Sequence, residues 1–294
     1  SSWLEVTSSV VQGSVIGPIL FIIFINHLDE YIQAAGEGIR IFKYADDSKL
    51  LQSIENEMDH HKLQAAIEHL LRWCNDFGME LHPGKCQVVH FGKKNPHQNY
   101  FIGHNQIEKA DVVKDLGIWV NRNLEPSIHI NKIAKKAHAV LSQIQRSTTL
   151  RDSKTFIALY KSFVRPHLET AASCWNPSKR EDILTLERVQ KRAFRMVTDL
   201  GKISYEEKLK KMGMQSLEDR RKRGDLIDTF KYMNGIYDTD PLKLFTFVQT
   251  RHERNTRSYL ENNLVPEKTS LNVRKNFFTN RIVNEWNLLP SIRY

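Results

Sequence analysis

An unbroken apolar run, Ile19 to Ile25, follows Gly17-Pro18 near the start of the chain. Proline suits a first helical position, so the run predicts a helix after the Gln12-Gly13-Ser14 loop. It is apolar on every side, which predicts that it is buried. Gly36 and Gly38 would close it. Gly38 to Tyr44 is rich in β-formers, and Ser48–Ile54 alternates loosely after Ala45-Asp46-Asp47. This predicts a β-hairpin with the two aspartates at its turn. Leu63, Ala66, Ile67, Leu70, Leu71, Cys74 and Phe77 recur at helical spacing, placing a helix over 58–77 that Gly78 ends. Strands are predicted over 86–91 and 112–120, with turns at Pro83-Gly84 and from Gly92 to Pro96.

After Pro126 the pattern becomes helical. Ile130, Ile133, Ala134, Ala137, Leu141 and Ile144 make one stripe, with Lys132, Lys135, Lys136 and Arg146 mostly off it. A second helix is predicted from Asp152 to about Val164, stopping near Pro166. A third runs from Arg180 to Leu200 and carries Arg188, Lys191, Arg192 and Arg195 on its polar side. Ser204 with Glu207 resembles a capping box. Ser216 starts another helix, which holds Arg220-Arg221-Lys222-Arg223. The last stretch is less periodic and ends in an amphipathic helix with Phe277, Phe278, Ile282 and Trp286. No internal repeat or low-complexity tract is visible.

Charge sharpens this division. The formal net charge of +9 is uneven: residues 1–126 carry −5, residues 127–235 carry +11 and residues 236–294 carry +3. A basic segment beside an acidic one suggests a polyanion held by one part and worked on by another; solvated helix faces are the plainer reading. The three cysteines are scattered and form no Cys-x-x-Cys pair, which argues against a disulfide framework or zinc knuckle and fits a reducing setting. The longest apolar run is too short to cross a bilayer, so no membrane partner is expected. The twelve histidines show no metal-ligand spacing. The chain starts at Ser1 instead of Met, which reads as a piece of something longer or a processed product.

The best chemical candidate is Tyr44-Ala45-Asp46-Asp47. Adjacent carboxylates on a tight turn can share divalent cations, and Mg²⁺ favours one or two carboxylates plus substrate phosphates. An ordinary acidic turn is the alternative. Gln12-Gly13-Ser14 lies upstream, where glycine lets a backbone approach a substrate and the helix N-terminus favours phosphate.

These strings resemble, in order, the reverse transcriptases of non-LTR (LINE-like) retrotransposons, most closely the jockey-like branch. Gln12 through Phe21 is similar to the template and nucleotide-binding motif, and Tyr44-Ala45-Asp46-Asp47 to the metal-binding palm hairpin. Trp73, Gly78-Met79-Glu80-Leu81 and Lys85-Cys86 resemble the next palm motif. Lys114-Asp115-Leu116-Gly117 resembles the primer grip. Leu159-Tyr160-Lys161, Val164-Arg165-Pro166, Trp175 and Leu186-Glu187-Arg188-Val189-Gln190 look like the following helices, and Phe277-Phe278, Arg281 and Trp286 to Pro290 like the tail.

The resemblance implies an RNA-directed DNA polymerase, a nucleotidyltransferase using Mg²⁺ or Mn²⁺, dNTPs, an RNA template and a DNA primer. Asp46 and Asp47 would hold metal, and Lys85 would assist as a general acid, though a plain surface lysine is an equal reading. Gln12, Gly13, Ser14 and Tyr44 would line template and nucleotide, and Leu116 and Gly117 the primer end. Lys132, Lys135, Lys136, Arg188, Arg192, Arg220, Arg221 and Arg223 would contact phosphates. The implied fold class is α+β: a partial palm over 1–126, a basic helical thumb over 127–200 and a helical C-terminal region over 201–294. A retrotransposon ribonucleoprotein, nuclear and cytoplasmic, is the implied setting.

Departures are visible. Val11 stands where the family usually has Pro, His27 where it often has Asp, and His82 where it often has Asn. The family's palm has a further catalytic Asp before the Gln-Gly motif. Only 11 residues precede Gln12, none of them Asp. The fingers and the upstream endonuclease are also missing from this sequence. The expectation is therefore a fragment inactive alone, with a non-catalytic RNA- or DNA-binding remnant as the alternative. An unrelated metal nuclease lacks a visible general base.

Overall fold

The computed structural model describes residues 13–149, 152–248 and 263–290. The chain forms two compact units, Ser1–Val113 and Lys114–Tyr294.

In the first unit, Gly17-Pro18 opens helix α1 (Gly17–Asn26), and α2 (Leu28–Gln33) follows after His27. The helix expected to run on to Gly36 is thus two, with the weak helix formers Asn26 and His27 at the break. Nor is α1 buried all round. Phe21, Phe24 and Ile25 pack inward, while Ile19, Ile22 and Ile23 are each 58% exposed. A helix apolar on every side needs cover on every side. Among the described residues of this unit, cover reaches only one face.

Strands β1 (Arg40–Tyr44) and β2 (Asp47–Leu51) form the expected antiparallel hairpin. Its Ile41 and Leu50 join the core shared by α1, α2 and α3 (Glu57–Asp76). Helix α3 is the spine of the unit, started by a reciprocal cap between Asn56 and Asp59. One flank sets Trp73 against Phe24, ring centroids 5.4 Å apart, and against Phe77 at 5.2 Å. The other flank packs Ile67 against Tyr100, Ile102 and Ile107. There the Gln64 side chain pairs with both the N–H and the carbonyl of Phe101, each at 3.0 Å.

The strand expected over 86–91 shrinks to β3 (Gln87–Val88). Its partner is β6 (Glu108–Lys109), which pairs with it in parallel, while β4 (Phe101–Ile102) and β5 (Asn105–Gln106) pair with each other in a separate hairpin. Because β6 is two residues long, the ladder can extend no further. The strand expected over 112–120 is also two, β7 (Val112–Asp115) and β8 (Ile118–Asn121). Leu116 and Gly117 reverse the chain with φ of 44° and 89°, the left-handed pair that a two-residue hairpin turn of this kind requires.

The second unit begins with the β7–β8 turn and β8 and is otherwise mainly helical: α4 (Ser127–Ser147), α5 (Ser153–Leu159), α6 (Arg165–Glu169), α7 (Ala172–Trp175), α8 (Arg180–Arg195), α9 (Tyr205–Lys211) and α10 (Leu217–Met233). The chain does not stop near Pro166. A π turn, Tyr160–Val164, carries α5 into α6, and Pro166 sits in the first turn of α6, where its missing N–H costs little. The core joins Ile130, Leu141, Phe156, Leu168, Leu186 and Phe194. Ser204 and Glu207 make the expected capping box on α9.

Polar groups are buried in this core with their partners. Gln190 is fully buried; its Oε1 accepts from the Tyr160 hydroxyl at 2.8 Å. Its Nε2 donates to Tyr205 Oη at 2.8 Å and to the Gln215 carbonyl at 3.0 Å. Tyr205 donates in turn to Glu187 at 2.6 Å, and Glu187 also accepts the Glu218 N–H at 3.0 Å. The five residues Leu186 to Gln190 thus divide their labour: Leu186 and Val189 pack, Glu187 and Gln190 bond, and Arg188 faces solvent.

The final amphipathic helix expected from the sequence is three short pieces, Asn272–Lys275, Phe278–Arg281 and Val283–Asn287. Phe278 and Ile282 are buried as the pattern implied, with Phe245 and Leu264, while Phe277 is exposed. The buried Asp225 ties this end to α10, accepting from Arg281 Nη2 at 2.8 Å and Nε at 2.9 Å.

Two stability predictions follow from these buried groups. Replacing Gln190 with Leu keeps the volume but strands the Tyr160 hydroxyl and the Gln215 carbonyl, while Tyr205 keeps its bond to Glu187. The cost should be about 3 kcal/mol in denaturant unfolding, at 1–3 kcal/mol per abandoned group. A change under about 0.5 kcal/mol would show that the network contributes no net stability. His129 is buried, and its Nδ1 accepts the Trp119 N–H at 3.3 Å. Burial holds its pKa below the ordinary 6.5, so the folded ring stays neutral where the unfolded one takes a proton. Stability should be unaffected above pH 6.5 and fall as pH drops below it. His129→Gln should flatten part of that acid limb in thermal unfolding, and identical limbs would absolve His129.

Candidate active site

Tyr44 and Asp47 face each other at the end of the β1–β2 ladder, leaving Ala45-Asp46 as the turn. Ala45 takes φ of 50°, a left-handed conformation that a side chain resists. Period-two alternation turns Ile41 and Lys43 inward and Phe42 and Tyr44 outward. Lys43 moors the hairpin: its Nζ lies 2.9 Å from Asp29 Oδ1 and donates to the Ile25 carbonyl at 3.2 Å. The base of the hairpin is therefore tied to the α1–α2 joint.

The tip is open. Tyr44 is 65% exposed, and Asp46 and Asp47 are both exposed. Neither carboxylate has a hydrogen-bond or ion-pair partner among the described residues. Two unpaired carboxylates, adjacent and raised on a turn, fit the hard-oxygen demands of a divalent cation that also takes phosphate oxygens. Among the described residues no group of three His, Cys, Asp or Glu side chains converges to hold a metal. The pair is thus a partial ligand set.

Of the other predicted residues, Gly13, Ser14 and Lys85 lie in this unit, and Leu116 and Gly117 in the second. Gly13 has φ of 85° and is open to solvent. Ser14 Oγ accepts the Gly17 N–H at 3.1 Å, so it steadies the first turn of α1. Gln12 lies outside the described residues. Lys85 ends a 3₁₀ turn, Pro83–Lys85; it is exposed and forms no ion pair with Asp46 or Asp47. Leu116 and Gly117 form the β7–β8 turn, with Leu116 exposed.

The predicted phosphate contacts of the second unit divide. Lys132, Lys135, Lys136, Arg188 and Arg223 are exposed, with the Lys132 ammonium 3.6 Å from the Trp119 ring centroid. Arg192 is half-buried, held by His138 Nδ1 at 3.1 Å and Ser142 Oγ at 3.0 Å. Arg220 and Arg221 are corrections. Arg220 pairs through two nitrogens with Glu169, and Arg221 is 2% exposed with its Nε on Asn176. Four consecutive residues wrap right round a helix at 3.6 per turn, so Arg220 to Arg223 cannot all face solvent. The inward pair bonds α10 to α6 and α7.

Sequence reasoning missed the structural weight of Glu187, Gln190, Asp225 and Arg281. For the first two a signal existed: they sit three apart among the apolar positions of α8, where a polar residue needs a buried partner. Asp225 and Arg281 are far apart in the chain and carried none.

The reverse transcriptase (RNA-dependent DNA polymerase) family matches residues 2–120. The RNA-directed DNA polymerase of the mobile element jockey from Drosophila melanogaster is 21% identical over 206 residues, 67% of this chain and 22% of that protein. An uncharacterized transposon-derived protein of Caenorhabditis elegans is 26% identical over 150 residues, 49% of this chain and 51% of its own length. A probable RNA-directed DNA polymerase from transposon BS of Drosophila melanogaster is 27% identical over 209 residues, 65% of this chain and 22% of that protein. The chain thus spans about a fifth of the length of the polymerases that it matches. No solved structure matches it. No helix among the described residues is long and apolar enough to cross a membrane.

The strained turn yields a test of local geometry. Ala45→Gly removes the Cβ that resists a left-handed φ, and should stabilise the hairpin by about 1 kcal/mol. Hydrogen exchange of the β1 and β2 amides should slow accordingly; faster exchange would mean that Ala45 is unstrained.

Proposed function

Since residues 2–120 carry the reverse transcriptase family match, we propose that this chain is part of the RNA-directed DNA polymerase of a non-LTR retrotransposon. The observation that carries this reading is the open hairpin tip, with unpaired Asp46 and Asp47, inside the matched segment. In the working polymerase these two side chains hold a divalent ion, Mg²⁺ or Mn²⁺. Such an ion, when bound, supplies charge stabilisation for the oxygens of a phosphoryl transfer. Lys43 and Asp29 fix the height of the tip, and Gly13 with Ser14 keeps the backbone before α1 open to a template or nucleotide. Lys85 stands ready to protonate a leaving group once substrates bring it near. The partners are an RNA template, a DNA primer and dNTPs, within a ribonucleoprotein that visits cytoplasm and nucleus. We assign 1–126 to a partial palm, 127–200 to a basic, helical, thumb-like region and 201–294 to a helical C-terminal region.

Two carboxylates anchor such ions less well than three, and no third converges here among the described residues. The purified chain should therefore show no primer extension of oligo(dT) on poly(rA) with Mg²⁺ or Mn²⁺. Extension that Asp46→Asn abolishes would overturn this. Grafting residues 38–54 into the jockey polymerase in place of its own hairpin tests the site itself. The graft should extend primers, and Asp46→Asn within it should cost about 100-fold or more, beyond the 10–100-fold of outer-shell changes. An active graft indifferent to Asp46→Asn would refute the metal role. The non-catalytic reading, a nucleic-acid-binding remnant, is favoured by the partial ligand set, and a dead graft would support it.

A further inference from the structure

The segment after β3 turns back on itself and brings two histidines together. The Asn95 N–H donates to the Gly92 carbonyl at 3.4 Å, and the His97 N–H donates to Asn95 Oδ1 at 3.0 Å. His97 takes φ of 56°, a left-handed conformation that costs a residue other than glycine, and its carbonyl accepts from Lys109 Nζ at 2.6 Å. Folded this way, the His97 ring has its centroid 4.9 Å from that of His90, with the planes 56° apart. His90 is 7% exposed, and its Nε2 is buried with no hydrogen-bond partner among the described residues. The Asn95 side chain hydrogen-bonds the same ring, and Tyr100 stacks on it at 6.2 Å and 25°. Tyr100 is itself fixed, its hydroxyl 2.8 Å from His60 Nδ1. The orientation of His90 is thus set by two neighbours while one nitrogen is left bare. A buried polar atom with no partner costs the fold, since water satisfies it in the unfolded chain.

We propose that His90 and His97 together hold a divalent transition ion of the Zn²⁺ class. Imidazole nitrogen suits Zn²⁺, Cu²⁺ and Ni²⁺, whereas Mg²⁺ takes hard oxygens. This pair and the Asp46–Asp47 carboxylates therefore select different ions. With Zn–N bonds of about 2.0–2.1 Å, two imidazoles on one tetrahedral ion have ring centroids about 5 Å apart. The 4.9 Å between His90 and His97 meets that spacing. A liganding histidine is commonly held by an acceptor at its other nitrogen, which fixes the tautomer. Asn95 bonds the His90 ring and also closes the turn that carries His97, so one side chain positions both rings. No third His, Cys, Asp or Glu joins the pair among the described residues. Water completes the coordination, and binding is weaker than in a closed four-ligand site. The Lys109 ammonium on the His97 carbonyl opposes a second cation and weakens it further. The ion would act as a clip, tying the far end of the turn at 92–97 to the segment that leaves β3.

The test uses the full chain, stripped of metal with a chelator. Zn²⁺ is titrated by calorimetry and, in parallel, with the histidine ring signals followed by NMR. The His90 and His97 signals should shift together, while that of His104, exposed on the β4–β5 turn, stays in place. Mg²⁺ should shift none of the three. His97→Asn keeps the left-handed turn, which asparagine tolerates, and removes one ligand, so its Zn²⁺ affinity should fall at least about tenfold. His90→Gln should do the same, and His104→Gln should leave the affinity unchanged. If the buried His90→Gln variant fails to fold, the half-buried His97→Asn carries the comparison. Zn²⁺ uptake that leaves both rings unmoved, or equal losses in His97→Asn and His104→Gln, would mean an adventitious ion only and overturn the site. No uptake even at high Zn²⁺ concentration would leave His90 Nε2 to a buried water and overturn it as well.

Discussion

The second unit depends on satisfying one buried amide, the side chain of Gln190. It has no solvent, so each of its hydrogen bonds must be met inside the protein. Tyr160 arrives on the π turn, Tyr205 on α9 and the Gln215 carbonyl ahead of α10. Three separate segments are thereby held to α8 at defined distances. Glu187, one turn away, extends the same arrangement to the first turn of α10 by accepting the Glu218 N–H. Apolar packing alone tolerates sliding; a directional bond in a dry core does not. Asp225 plays the corresponding part at the far end, holding Arg281 and Asn176 together.

Charge in this unit is consequently of two kinds. Some cations are neutralised within the fold and act as bolts. Others, on α4 and the outer face of α8, are left without counter-charges and give the unit its field. The sequence total of +9 mixes the two.

The hairpin of the first unit separates its functions in another way. Its base is bonded by Lys43 to Asp29 and to the Ile25 carbonyl, and its inner face is packed. Its tip carries two like charges and a left-handed alanine, all of them costs to the fold. Like charges kept adjacent and unpaired are tolerated here because the tip stands in water. The family match over residues 2–120 spans this hairpin.

Periodicity along the chain was sufficient for the hairpin, for α3, α4 and α10 and for the Ser204–Glu207 capping box, because each rests on neighbours within a few residues; it ran α8 on to Leu200, where the helix ends at Arg195. Ordered short motifs pointed to the reverse transcriptase family, whose match spans residues 2–120. They placed Asp46 and Asp47 at a turn, since turn chemistry is local. Local information could not decide cover. It called α1 buried, although the face bearing Ile19 and Ile23 is exposed among the described residues, since burial needs a partner and not merely an apolar surface. It ran strands through Leu116-Gly117 and closed a helix at Pro166, where ladder partners and a π turn decided otherwise. It read Arg220 and Arg221 as phosphate contacts, because a charged residue alone does not reveal its counter-ion. Glu169 is 51 residues from Arg220 in the chain, and only folding brings them together. Elements and chemistry were thus written in short-range spacing, while the division between bolts and free charges arises from distant residues meeting, which spacing does not encode.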